Sequence, residues 1–590
     1  MSEDDQGFEI VLARTAGFCM GVQRAVRLVL EAAEDPRTSL PIRTPGPLIH
    51  NRQVLELLER RGVLLMGENG KDGKGTTVVR AHGLSREQQD ELRRGCARLL
   101  DATCPHVRGL QRIVQEHAEK GYMCVVVGDR DHAEVEGVLS YADGRGHVVA
   151  GPEEVDDLPP AQKVAVVAQT TQNEEVFRAT VEKVRERYGE CETFNTICRS
   201  TEQRQAEVRR LAAEVDAMVV VGGHNSANTR RLAEISAQTG TPTCYVETEE
   251  ELDVDELLAH RRVGVTAGAS TPNWMIRRVV LCLRDEHRRR AHPFRAYARR
   301  AVRAMAYTNL FAAGAVAALT YAATRLFARP MPDWPLCMAV SFLFVLAQQL
   351  LNQYVRRESL YLSEPARSDF FMAHERVLFW IGVSSAVGCL AFALWLPPWA
   401  FGVVVLGLVV GLLYQMRWPG RLASRLGLRS LQQMPASKEV FVGLAWATLA
   451  VVISALAGGG PAGVWRCAAA AFAVCFLMAF QRALMLDMRD VAADQLVGRE
   501  TLAGLLGTRA TTWLILALVA LEGVILTAAT LGGWMAMPGF LLLAGIPYTV
   551  LCFTLLRRQA GMEEDLAEML VTGKFYLAGL LALSWHLTAA

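Results

Sequence analysis

From about residue 304 to the end of the chain, apolar runs recur, each of roughly 20 residues, the length needed to cross a bilayer. Nine runs are expected: 304–326, 335–354, 377–396, 400–416, 440–457, 464–486, 511–531, 535–556 and 569–588. The loops after the second, fourth, sixth and eighth runs carry most of the arginines, among them Arg356, Arg357, Arg489, Arg499, Arg557 and Arg558. The opposite loops, such as Pro397-Pro398, carry few or none. This positive-inside pattern predicts a multi-pass, all-α protein of the inner (cytoplasmic) membrane, with the N-terminal part in the cytoplasm and the C-terminus outside. Residues 277–303 contain ten arginines and read as a cytoplasmic, membrane-proximal anchor. The expected division is a soluble domain over 1–280, a basic linker over 281–303 and a membrane domain over 304–590. No nucleic-acid partner is expected.

The soluble part begins with the acidic stretch Met1-Ser2-Glu3-Asp4-Asp5, which lacks the apolar core of a signal peptide. A reducing compartment is therefore expected, where cysteines serve as ligands, nucleophiles or fillers rather than disulfides. Three of the 13 cysteines stand apart. Cys19 lies in Gly17-Phe18-Cys19-Met20-Gly21, Cys104 in Ala102-Thr103-Cys104-Pro105 and Cys198 in Thr196-Ile197-Cys198-Arg199. Each occupies its own segment of strand, turn and helix. Three such thiolates suit a metal centre built where three lobes meet, and a four-iron cluster held by three of them keeps one iron open for chemistry.

Short β-branched strands precede turns of small and polar residues, and amphipathic helices follow. Val164–Ala168 leads to Gln169-Thr170-Thr171, Ala217–Val221 to the stretch from Gly222 to Asn228, and Val263-Gly264-Val265 to the stretch from Thr266 to Ser270. The alternation predicts parallel sheets with crossover helices, and ligands gather beyond the carboxyl ends of such strands. Thr170, Ser226, Asn228 and Ser270 fall just there, ahead of helix N-termini that favour an anion such as a diphosphate. N-capping is the competing role for each of the four. No P-loop pattern is present, so a nucleoside triphosphate is not indicated. His50, His82 and His132 stand at further strand–helix junctions, able to donate to phosphate oxygens. Glu134 is a proton donor if its surroundings raise its pKa, and a surface helix carboxylate otherwise.

These motifs, in this order from about Val11 to Val280, resemble the LytB/IspH family of 4-hydroxy-3-methylbut-2-enyl diphosphate reductases. The resemblance implies a three-lobed α/β fold around a [4Fe–4S] cluster held by Cys19, Cys104 and Cys198, with one iron left for the substrate. It implies that His50, His82, His132, Thr170, Ser226, Asn228 and Ser270 hold the diphosphate or line the pocket, and that Glu134 relays the proton that lets the hydroxyl leave as water. Isopentenyl and dimethylallyl diphosphates would result, with electrons from a ferredoxin- or flavodoxin-like carrier. Ala227 stands where many members have a second serine, and Ala133 where a proline is common.

In the membrane part, Asp487, Asp490 and Asp494 follow the sixth run at spacings of three and four residues, which put carboxylates on one helical face where they can bind Mg²⁺ bridging a diphosphate. Nine spans with this motif resemble the UbiA superfamily of membrane prenyltransferases. That family's first aspartate-rich motif is altered: Gln353, Arg356 and Leu360 stand where three aspartates are expected, while Asn352, Tyr354, Arg357, Glu358, Glu364 and Pro365 fit. Ordinary prenyl transfer and an inactive or altered function stay equally open. Three readings of the whole chain follow: a membrane-tethered reductase, a membrane prenyltransferase supplied by its soluble part, and a non-catalytic iron–sulfur sensor.

Overall fold

The computed structural model of the chain describes residues 8–35, 38, 40–66, 75–327, 331–355, 364–415, 436–458, 464–496, 501–558 and 562–589. The chain divides into two compact units, Met1–Pro293 and Phe294–Ala590.

The first unit is α/β, as the alternating pattern predicts. Its strands among the described residues are β1 (Glu9–Leu12), β2 (Ile42–Thr44), β3 (Val63–Leu65), β4 (Thr76–Val79), β5 (Arg98–Asp101), β6 (Met123–Val127), β7 (Gly146–Val149), β8 (Val164–Ala168), β9 (Cys191–Phe194), β10 (Ala217–Val221), β11 (Thr243–Val246) and β12 (Arg262–Ala267). They form three four-stranded sheets in the orders β1-β12-β10-β11, β5-β4-β2-β3 and β9-β8-β6-β7. Every pairing is parallel. Every residue of β6, β8 and β10 is buried, the continuous apolar habit of a strand covered on both faces.

Strand alternation divides each core between two helix layers. In β6, Met123, Val125 and Val127 pack with Phe177, Val181 and Val184. Cys124 and Val126, pointing the other way, pack with Leu110, Val114, Val135 and Val138. In β10, Met218 and Val220 meet Val208, Leu211, Leu232 and Ile235.

The three sheets are equivalent, and the equivalence positions the chemistry. In each, one edge strand (β1, β5 or β9) ends in a cysteine turn, and the next strand (β12, β4 or β8) ends in a polar turn. After each cysteine turn the chain leaves that sheet. Cys19 lies between β1 and β2, Cys104 between β5 and β6, and Cys198 between β9 and β10, so each cysteine marks a crossing from one lobe to another. Each also begins a helix: Met20–Glu34, Pro105–Glu119 and Arg199–Glu214. The helix after Cys104 packs Leu110 and Val114 on the sheet it is entering, and the helix after Cys198 does the same with Val208 and Leu211.

The second unit is all helical. Among the described residues, seven helices are long and apolar enough to cross a membrane: Trp334–Val355, Glu375–Ala393, Ser437–Ala457, Val464–Met488, Leu502–Leu531, Pro538–Arg558 and Asp565–Thr588. The nine spans expected from hydropathy are not all found: the described residues give seven, or eight if one bent pair is a single span. The first expected run falls on that pair, Tyr297–Tyr307 and Leu310–Leu326, which bend by 66°. Asn309, at the bend, adopts the left-handed φ of 58° that interrupts a helix. The fourth run forms Pro398–Tyr414, which is short of a spanning length. Hydropathy counts apolar residues and is blind to the direction of the axis.

Leu232 is fully buried beneath β10. Leu232→Ala is expected to cost roughly 2–5 kcal/mol, read as a lower denaturant midpoint for the first unit in circular dichroism, with the helical signal of the second unit unchanged.

Candidate active site

The three cysteine turns are tied to the three polar turns by backbone hydrogen bonds of one pattern. The Cys19 N–H donates to Ala269 O at 3.1 Å, the Cys104 N–H to Ala81 O at 2.9 Å and the Cys198 N–H to Thr170 O at 2.9 Å. Each acceptor lies in, or next to, a turn singled out above: Ala269 precedes Ser270, and Ala81 precedes His82. A Cβ added at Gly21 would lie 2.6 Å from Cys104 Sγ and 3.9 Å from Cys19 Sγ, so the two thiols from different lobes face one space. Burial pushes the Cys104 thiol above its ordinary value. The amides of His106 and Val107 draw it back, and the charges of Cys19 and Cys198 push it up again, which places all three sulfurs within electrostatic reach. Burial raises Cys198 in the same way. All 13 cysteines are free thiols.

Beside the thiols is a triangle of imidazoles. Ring centroids are 4.8 Å apart for His50 and His82, 5.3 Å for His82 and His132, and 5.9 Å for His50 and His132. His50 follows β2, His82 follows β4 and His132 follows β6, so two lobes build the triangle. Burial lowers His50 from 6.5 to about 4, and repulsion from His82, His132 and Arg80 adds to it. Burial likewise lowers His132, which accepts from the Glu134 N–H through Nδ1 at 3.2 Å.

Glu134 is 1% exposed, so the surface-carboxylate reading is overturned. Its Oε1 accepts from the Thr170 N–H at 2.7 Å, its Oε2 accepts from the Thr170 hydroxyl at 2.8 Å, and His82 Nδ1 is 3.9 Å from Oε2. Burial pushes this carboxyl up, but His82 and the two Thr170 donors outweigh it and hold it below its ordinary value. The raised pKa that would make it a proton donor at rest is not found: these donors favour the carboxylate.

The four polar turn residues separate into distinct roles. Ser226 is an N-cap, its oxygen accepting from the Thr229 N–H at 3.3 Å. Thr170 caps nothing and donates to Glu134. Ser270 donates to His50 O at 3.1 Å, joining the first sheet's lobe to the second's. Asn228 is 7% exposed, and both polar atoms of its amide are without a partner. A buried amide left unsatisfied is costly and marks a place for a polar ligand. Arg204, unnoticed in the sequence, is 3% exposed and bonds the carbonyls of Gly17 and Ala267 at 2.7 and 3.2 Å. Its spacing of six from Cys198 was the only available signal.

In the second unit, Asp487 is 1% exposed and its Oδ1 pairs with Lys438 Nζ. Glu439, fully buried, accepts from the Leu502 N–H at 2.9 Å. Gln353 is buried and donates to Tyr307 O at 3.4 Å. The side chains of Asp490 and Asp494 lie outside the described residues, as do Arg356 and Leu360. Deeper ion pairs join Lys574 to Glu522 at 3.2 Å and Glu568 to Arg367 and Arg482 at 2.6 and 3.1 Å.

Among the described residues, no three His, Cys, Asp or Glu side chains converge on one metal ion. The first unit is thus a three-lobed α/β protein with a thiol-lined centre beside a histidine–carboxylate cluster. Residues 10–284 match the family model described as LytB protein, and residues 312–570 match that of the UbiA prenyltransferase family. A 4-hydroxy-3-methylbut-2-enyl diphosphate reductase of Geobacter sulfurreducens is 46% identical over 272 residues, spanning 46% of this chain and 95% of that one. One from Anaeromyxobacter sp. is 46% identical over 281 residues, spanning 48% and 98%. A solved E-1-hydroxy-2-methyl-but-2-enyl-4-diphosphate reductase from Plasmodium falciparum is 28% identical, with a TM-score of 0.45, over 46% of this chain and 87% of that one. The chain belongs to the LytB family and carries a UbiA-family domain behind its reductase-like unit.

His50 takes up a proton less readily folded than unfolded, since its value falls from 6.5 to about 4. Its contribution to stability is present above pH 6.5 and lost as pH falls towards 4. Denaturant midpoints of the first unit are expected to decline across that window, and His50→Asn should flatten the decline.

Proposed function

We propose that the first unit reductively removes the hydroxyl of 4-hydroxy-3-methylbut-2-enyl diphosphate, taking two electrons and two protons and releasing water with isopentenyl and dimethylallyl diphosphates. In this reading the chain serves isoprenoid biosynthesis by the methylerythritol phosphate pathway. The observation that carries it is the joining of three cysteine turns to three polar turns in one centre. The relatives named above bear that activity in their names.

The donor set fits a [4Fe–4S] cluster held by Cys19, Cys104 and Cys198. The space that a Cβ at Gly21 would fill lies between two of the sulfurs. Three thiols that each bind a different iron need not converge on one ion. Such a cluster supplies single electrons and keeps one iron free of protein ligands. Loading it would displace the thiol protons, which burial holds on Cys104 and Cys198.

The remaining work falls to this chain's own side chains. His50, His82 and His132 bind and orient the diphosphate, and the open amide of Asn228 donates to it, together with Ser226 and Ser270. Glu134 moves a proton at its Oε2 atom, where the Thr170 hydroxyl is bonded and His82 stands nearest. The donors around Glu134 favour its carboxylate, so it takes up a proton before passing one on, and the His82 ring stands 3.9 Å away. A ferredoxin- or flavodoxin-like carrier delivers the electrons.

The second unit holds the reductase in the inner membrane as a multi-pass domain, with the first unit in the cytoplasm. A second reading, prenyl transfer by the membrane domain, is favoured by Asp487, a carboxyl side chain buried in the helical unit. With Asp490 and Asp494 it would hold Mg²⁺ and a diphosphate. The substitutions at Gln353, Arg356 and Leu360 weigh against it.

Purified without oxygen, the full chain is expected to carry iron and sulfide and to consume the hydroxylated diphosphate with a reduced one-electron donor. Glu134→Gln should keep the iron while lowering turnover about 10²–10⁴-fold. A metal-free wild-type protein after reconstitution, or full activity in the variant, would overturn the reading. For the membrane unit, labelled prenyl diphosphate should pass to lipid acceptors in wild type and not in Asp487→Asn. Absence of transfer across acceptors and chain lengths leaves anchoring as its role.

A further inference from the structure

Arg204 stands at the heart of the first unit without an ordinary reason to be there. It lies in the second turn of the helix Arg199–Glu214, which Cys198 begins, and it is 3% exposed. Its Nη2 donates to Gly17 O at 2.7 Å, two residues before Cys19. Its Nη1 donates to Ala267 O at 3.2 Å, two residues before the carbonyl that receives the Cys19 N–H. The guanidinium therefore spans from the Cys198 helix to both turns that hold Cys19.

Both bonds go to neutral carbonyls, and Nε is buried without a partner. The nearby acid on its own helix, Glu207, is engaged elsewhere: its two oxygens accept from the Arg14 and Thr15 N–H groups, each at 2.8 Å. A guanidinium taken out of water is costly unless a negative charge offsets it. Burial lowers the pKa of Arg204, and the opposing influences are Cys19, Cys198 and Glu207, in that order. Arg204 bonds both turns that hold Cys19 and stands on the helix that Cys198 begins, so these two sulfurs, once ionised as ligands, supply negative charge to its surroundings.

We propose that Arg204 is the internal counter-charge of the cysteine centre, a fixed buried cation that offsets the thiolates of Cys19 and Cys198 and eases the entry of each electron. The step concerned is transfer of one electron from the external carrier to the centre, which adds one negative charge near the guanidinium. A cation held in place stabilises the reduced form more than the oxidised one, and charge and hydrogen bonding near the sulfurs are known levers on such potentials. Arg204 acts through the cysteines and is a positioning and electrostatic residue, not a catalytic one. This inference rests on the cluster reading above.

The test is a redox titration followed by electron paramagnetic resonance on the full-length protein in lipid, comparing wild type, Arg204→Lys and Arg204→Gln. Arg204→Lys keeps the charge, whereas Arg204→Gln keeps a donor for one carbonyl without the charge. The expected result is a reduction equilibrium at least tenfold less favourable in Arg204→Gln, a negative shift of 59 mV or more for a one-electron couple. Arg204→Lys should titrate close to wild type. An unmoved potential in Arg204→Gln, or equal displacement in both variants, reduces Arg204 to a clamp on two carbonyls and overturns the proposal. If Arg204→Gln takes up no iron, Arg204→Lys decides: a wild-type potential supports the counter-charge and a displaced one overturns it. A wild-type chain without a cluster signal refutes the cluster reading itself, whatever the variants do.

Discussion

Three peptide hydrogen bonds, one behind each of Cys19, Cys104 and Cys198, hold the first unit's chemistry together. Each joins a cysteine turn to a polar turn on the adjacent strand, and each occurs where the chain passes from one sheet to another. Each bond lies within one sheet, and the three sulfurs come from three different sheets, so no lobe contains the centre alone. Gly21 makes the close approach possible, because any side chain there would occupy the space next to Cys104.

Around this centre the unit accepts burial of groups that water would otherwise solvate. Glu134 is tolerable as a carboxylate because the Thr170 N–H and hydroxyl both donate to it and His82 stands 3.9 Å away. Burial, with repulsion among the crowded imidazoles, favours the neutral forms of His50 and His132. Asn228 is left with an open amide and Arg204 with an open Nε. Unsatisfied groups of this kind reduce stability, and a scaffold keeps them where a ligand completes them. The surrounding sheets supply the offset through cores in which β6, β8 and β10 are wholly enclosed.

The second unit follows a different solvent's rules. Its helices turn large apolar side chains such as Trp380, Trp395 and Trp399 outward, and keep their charges inside in pairs. Lys574 and Glu522 are buried as a pair between candidate spans, and Glu568 pairs with Arg367 and Arg482 where each is half-buried or deeper. Asp487 is likewise paired, with Lys438. An acid already matched to a cation within the protein meets a different electrostatic demand from one awaiting a metal ion, and this bears directly on what an altered aspartate motif can do.

Much of this was legible in the residues. Apolar runs, β-branched strands and cysteine spacing determined the class of each unit, because burial and backbone satisfaction demand such patterns locally. The three cysteines and the polar turns could be picked out, since a ligand or a helix start needs those residue types in those places. Their division of labour could not. Only tertiary packing made Ser226 a cap and Thr170 a donor to Glu134, or turned Glu134 from an apparent surface acid into a buried carboxylate. Arg204 was invisible, being one arginine among many until the two turns that hold Cys19 closed around it. The bend at Asn309 was equally hidden, because composition records how apolar a segment is and not where its axis points. Local pattern settles which elements form; distances between residues far apart in the chain, and hence charge, protonation and partnership, are settled by the fold.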